Sequence, residues 1–144
     1  MSSIPELLSR YRTIAVVGLS ASPERPSHGV AKYLQAHGYR IVPVNPSYTG
    51  TLILGEPCFP TLAEASEALQ ASGEKIEIVD CFRKATEVAP IVRDAIAIGA
   101  KCVWMQLGVV NEQAAAAARN AGLEVVMDRC IKIEHQATPQ RPEK

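Results

Sequence analysis

Residues Thr13-Ile14-Ala15-Val16-Val17-Gly18 form a nearly unbroken apolar run rich in β-branched side chains. A strand with one wet face alternates apolar and polar residues, whereas a continuous run implies burial on both faces, as inside a parallel sheet. Similar runs return at Arg40-Ile41-Val42-Pro43-Val44-Asn45, Lys75 to Phe82, Cys102-Val103-Trp104-Met105-Gln106-Leu107 and Glu124-Val125-Val126-Met127. Amphipathic stretches separate them, and parallel neighbours need such crossovers. The strand–helix repeat predicts an α/β chain: an open, doubly wound sheet of five mainly parallel strands with helices on both faces.

Local signals place the helices. Ser3-Ile4-Pro5-Glu6 has capping-box spacing and precedes Leu7, Leu8 and Tyr11 on one face. Helical periodicity starts near His28, continues through Val30, Tyr33 and Leu34, and stops at Gly38. Thr61-Leu62-Ala63-Glu64 opens a helix to about Ala71, and another runs from Val88 to Ile98. Asn111 caps an alanine-rich helix that Gly122 ends. Residues 47–60 read as irregular, and Pro43 is expected to cost its strand one ladder hydrogen bond. Residues 1–135 read as one domain, and 136–144, with Pro139 and Pro142, as a flexible tail.

Composition narrows the function. Among 144 residues, Lys+Arg and Asp+Glu are each 15, so no basic excess exists for bulk capture of nucleic acid or an anionic membrane. No apolar run reaches the length of a membrane span, and the N-terminus has no secretory pattern. The four cysteines, Cys58, Cys81, Cys102 and Cys130, make no C-x-x-C pair. That pattern suits reduced thiols in a cytoplasmic protein and not a zinc site. Cys81 and Cys102 fall in core strands, and Cys58 in an irregular segment where it is expected to be exposed.

In a doubly wound sheet, ligands bind beyond the carboxyl ends of the strands, where the strand order reverses. The candidate places are Gly18 to Ser27, Asn45 to Gly50, Phe82-Arg83, Gln106-Leu107-Gly108 and Asp128 onward. The first is the most informative. A glycine, a loop and a helix start after a strand direct amides and a helix tip at an anion. Ser20, Ser22 and Ser27 add hydroxyls, and Arg25 a charge-assisted donor. Taken singly, Gly18 need only turn the chain and Ser27 only cap the helix; as a set they point to phosphate. Neither G-x-G-x-x-G nor a Walker A loop is present. The end of the second strand is Asn45-Pro46, lacking the carboxylate that an NAD ribose requires.

The ordered set Val16-Val17-Gly18-Leu19-Ser20, Arg25-Pro26-Ser27, Pro43-Val44-Asn45-Pro46, Asp80-Cys81-Phe82-Arg83, Ala97-Ile98-Gly99-Ala100-Lys101, Trp104-Met105-Gln106-Leu107-Gly108 and Asp128-Arg129-Cys130 resembles the small stand-alone CoA-binding proteins. These are similar to the CoA-binding domain of the succinyl-CoA synthetase α-subunit. The resemblance spans about Thr13 to His135. It implies a Rossmann-like sheet holding coenzyme A, with Gly18, Leu19, Ser20 and Arg25 at the phosphates. It further implies Val44, Asn45 and Pro46 beside the nucleotide, and Phe82, Arg83 and Gln106 along the rest of the crevice. Relatives often carry Lys or Arg after the N-P pair; this chain has Ser47-Tyr48.

The phosphohistidine domain of the full synthetases has no counterpart here. The resemblance therefore implies a non-catalytic module: a carrier, a sensor, or a subunit acting with a protein partner or a second copy. Two rivals are an enzyme on acyl-CoA or a nucleotide, using Cys130 or His28, and an NAD(H)-responsive regulator. Asp80 and Asp128 are expected to pair with Arg83 or Arg129, and Trp104 to pack against the sheet. Tyr48 is placed either on adenine or on the open surface.

Overall fold

The computed structural model describes residues 2–138. Five strands, β1 (Thr13–Val17), β2 (Arg40–Val44), β5 (Ile78–Cys81), β6 (Cys102–Met105) and β7 (Glu124–Val126), form one parallel sheet in the order β2-β1-β5-β6-β7. Two-residue strands β3 (Leu52–Ile53) and β4 (Glu56–Pro57) make a small antiparallel hairpin within the segment expected to be irregular.

Alternate residues of each strand feed opposite faces, as a period of two requires. Ala15, Val42, Val79 and Val103 face α3 (Leu62–Gln70), α4 (Val88–Ala97) and α5 (Glu112–Asn120). Ile14, Ile41, Ile78 and Trp104 face α1 (Ile4–Arg10), α2 (Pro26–Ala36) and α6 (Ile131–Ala137). This double coverage explains the continuous apolar runs. Alanines 114, 115 and 118 turn the small-residue side of α5 to the sheet. Among the described residues no helix is long and apolar enough to cross a membrane.

Pro43 costs no bond to the sheet. Arg40 N donates to Arg12 O, so residues 40, 42 and 44 face β1 and Pro43 turns its missing N–H to the outer edge. Its carbonyl accepts from Phe59 N, and Phe59 O accepts from Asn45 N. The returning chain thus covers what would be an open strand edge.

Helix α2 begins at Pro26, two residues before the apolar periodicity, because a first-turn proline needs no intrahelical partner. Ser27 is therefore inside the first turn and is not the cap, which is Arg25. Helix α6 has no counterpart in the expected elements and runs two residues past the domain boundary placed at 135. Its amide at Ile131 is satisfied by Gln106 Oε1 from beyond β6, at 3.2 Å. The remainder of the expected tail, 139–144, lies outside the described residues.

Neither expected aspartate pairing forms. Arg83 pairs with Glu87 and Arg129 with Glu134. Asp128 Oδ1 instead accepts from Gly108 N at 2.7 Å. Asp80 lies between Val16 and Trp104, is 0% exposed, and neither carboxyl oxygen has a partner among the described residues. Burial pushes its carboxyl well above the usual range. Its folded-state proton affinity exceeds that of the unfolded chain. Its contribution to stability is complete below the unfolded value of about 3.9 and declines as pH rises toward the raised folded value. Asp80→Asn should remove this decline. Denaturant titrations from pH 4 upward should show wild type losing stability relative to the variant, at up to about 1.4 kcal/mol per pH unit while Asp80 titrates. Parallel stability–pH curves would refute the assignment.

Candidate functional site

The chain leaves β1 for β2 on one side and later adds β5 on the other, so the strand order reverses between the carboxyl ends of β1 and β5. At that point Phe82 N donates to Val17 O at 2.9 Å. Gly18 has φ +93°, and a Cβ there would stand 2.5 Å from Phe82 O and 2.8 Å from Arg83 Cδ. Glycine is thus required twice, by its left-handed backbone and by the crossing strand end.

Above this junction lies a hollow of about 400 Å³. Gly18, Ser20, Arg25 and Ser27 form one side, Asn45, Ser47 and Tyr48 another, and Phe82 and Arg83 the third. The structure thereby gathers three of the five expected places. Pro26 also lines the hollow.

The loop after β1 is braced from within. Ser27 Oγ accepts from Ser20 N, and Ser20 Oγ accepts from Ser22 N, each at 3.0 Å. Gly18 N donates to Val44 O at 2.8 Å. The amides of Gly18, Ser20 and Ser22 are therefore spent on the fold. Those of Leu19, Ala21 and Ser27 have no hydrogen bond to another described residue. Ser27 N sits in the first turn of α2, where such an amide is open to an anion.

Asn45 clamps the two loops together. Its Nδ2 donates to Leu19 O at 3.0 Å, and its Oδ1 accepts from Ser47 N at 2.9 Å, capping a 3-10 turn at Pro46–Tyr48. Cys58, expected to be exposed, is buried, and its thiol donates to Asn45 O at 3.4 Å. Burial pushes that thiol's pKa up, against the lowering effect of this hydrogen bond.

Other expected residues fall elsewhere. The Leu19 side chain is fully buried beneath the loop. Ser22 Oγ bonds Glu24. Gln106 is buried at the start of α6 and is not part of the hollow. Val44 and Pro46 line a second hollow of about 360 Å³, which meets the first at Gly18 and Arg83. Its other walls include Thr61, Leu62, Glu87, Ile91 and Asp94, which the sequence reading did not single out. The capping signal at Thr61 is visible in the sequence; its proximity to β1 comes only from folding. Cys130 precedes α6, half-buried against the core, and lines neither hollow. Trp104 is fully buried in the sheet, as expected, and its Nε1 donates to Arg129 O at 2.7 Å.

A family model described as a CoA binding domain matches residues 12–136. The chain belongs to the CoA binding domain family. An uncharacterized Bacillus subtilis protein, YneT, is 36% identical over 137 residues, covering 95% of each chain. A solved hypothetical protein from Pyrococcus horikoshii OT3 is 42% identical, with a TM-score of 0.83 over 94% of this chain and 89% of that one. The Rex-family repressor RSP in its complex with β-NADH aligns at a TM-score of 0.56 and 15% identity. That alignment covers 83% of this chain and 54% of the repressor, a likeness of fold alone. The Rossmann-like sheet is thus common to the family and to more distant proteins.

In this family member Gly18→Ala should lower the melting temperature, because the new Cβ meets backbone that cannot swing aside. A loss of about 1–3 kcal/mol is expected, from strain plus forced separation of β1 and β5. A chemical melt matching wild type would show the junction to be looser than this geometry allows.

Proposed function

We propose that the protein is a coenzyme A-binding module of the cytoplasm, without catalysis of its own. In this reading the ligand's diphosphate lies over Gly18 beside Ser20 and the amide of Ser27. Arg25 and Arg83 supply charge-assisted donors from opposite sides. One arm of the ligand follows Val44 and Pro46 into the second hollow. The observation that carries the reading is a polar hollow at the reversal of strand order, lined by two arginines and by Ser27, whose first-turn amide has no partner among the described residues.

Arg25 offers an anion a donor without a competing carboxylate, whereas Arg83 is paired with Glu87. Arg25 makes no ion pair among the described residues, and the walls of the first hollow contain no Asp or Glu. A nicotinamide dinucleotide is less well served, because Asn45 stands where a ribose carboxylate would be and both ends of its side chain are engaged. The proposed role is that of a carrier, a sensor or a subunit working with a protein partner.

Isothermal calorimetry with CoA and NADH tests the reading. CoA should bind, and Arg25→Ala or Arg83→Ala should weaken it by roughly tenfold or more, the effect of losing one charge-assisted bond. Affinity should fall as salt rises. Acyl-CoA incubated with the protein should remain intact. Binding of NADH with none of CoA would transfer the assignment to a redox-responsive regulator; acyl-CoA turnover lost in Cys130→Ser would make it an enzyme.

A further inference from the structure

Arg83 is the cation common to both hollows, and it is already engaged within the protein. Its guanidinium meets Glu87 Oε1 at 2.6 Å through one terminal nitrogen and at 2.9 Å through Nε. Its side-chain stem crosses Gly18, so the charged end stands at the divide between the hollows. Glu87 lies on the far side, in the wall of the second hollow with Asp94.

Two features make this pair displaceable. Both side chains are 40% exposed, and ion pairs so open to water are weak. Glu87 also occupies the N-cap of the ten-residue helix α4 without making a side-chain capping bond. A carboxylate freed from Arg83 stays near the positive end of that helix, which follows a 3-10 turn at Ala85–Glu87, although Pro90 at its third position offers no N–H to cap. Arg83 thus has two classes of partner.

We infer that Glu87 is an internal substitute for the ligand's phosphate: it holds Arg83 until an anionic ligand displaces it, and so limits the affinity for phosphorylated ligands while leaving that for neutral ones unchanged. The inference rests on reading the first hollow as the phosphate site of a CoA-type ligand. A neutral fragment occupying the second hollow leaves the ion pair intact and recovers nothing from Arg83. A diphosphate exchanges one carboxylate for two or more anionic oxygens, while Glu87 stays near the helix end.

The experiment is calorimetry on wild type, Glu87→Gln, Arg83→Ala and the double variant, with CoA, inorganic pyrophosphate and phosphate-free pantetheine as probes. Glu87→Ser, which removes the charge with a different side chain, guards against a folding artefact in Glu87→Gln. Either Glu87 variant should bind CoA and pyrophosphate three- to tenfold more tightly than wild type, with pantetheine unchanged. In the Arg83→Ala background the gain should vanish. Tightening that persists without Arg83 would reduce Glu87 to a general repulsive charge and overturn the inference. Unchanged or weaker CoA binding in the Glu87 variants, with wild type still binding, would overturn the inference and leave the CoA reading standing. No binding of CoA or pyrophosphate to any variant would overturn both.

Discussion

The meeting of two strand ends at Gly18 governs the rest of the site. The carboxyl ends of β1 and β5 approach so closely that a single methyl group at position 18 would overlap Phe82 O. This contact brings the loop after β1, the chain after β2 and the Phe82-Arg83 corner around one hollow. The glycine's role is first one of packing between strands, and the opening toward a ligand follows from it. A phosphate-binding loop and a close strand junction are here the same structural solution.

The loop shows how a polar site is made stable without a ligand. Backbone donors near the sheet must be satisfied or wet. Gly18, Ser20 and Ser22 find partners within the protein, two of them serine hydroxyls that also read as phosphate donors. Ser27 is the clearest case. Its hydroxyl oxygen accepts from Ser20 N, which leaves both its O–H and its own amide as donors toward an anion. Asn45 similarly spends both ends of its side chain on shape. The arginines, the amide of Ser27 and the hydroxyl protons of Ser20 and Ser27 are left to do the recognising.

Much of this was legible in the chain, because double-sided burial leaves unbroken apolar runs and helix starts leave caps. Asn111 and Thr61 cap their helices as their sequence context implies, and the Ser3–Glu6 box closes in both directions. The misses share a cause: their partners are distant in sequence. Helix α6 begins on an amide held by Gln106, 25 residues earlier, so no local cap announces it. Cys58 is buried because the chain folds back along β2, a pairing that apolar periodicity does not encode. Asp80 was expected to find an arginine, but its strand position turns it toward Val16 and Trp104, while Arg83 is carried past the strand end to Glu87. The second hollow was missed for the same reason, since Thr61 and Glu87 become neighbours of Gly18 only once both faces are wound.

The zero net charge now has a structural sense. A protein that gathers polyanions by bulk attraction needs a basic surface; one that recognises a single diphosphate needs only a few donors placed together. Placing two arginines at one hollow raises the cost of their mutual repulsion. Here the two are treated differently. Arg25 remains at the exposed helix entrance, where water screens it, whereas Arg83, packed over Gly18 at the junction, is neutralised by Glu87. That pairing is readily exchanged, because both of its side chains remain open to water.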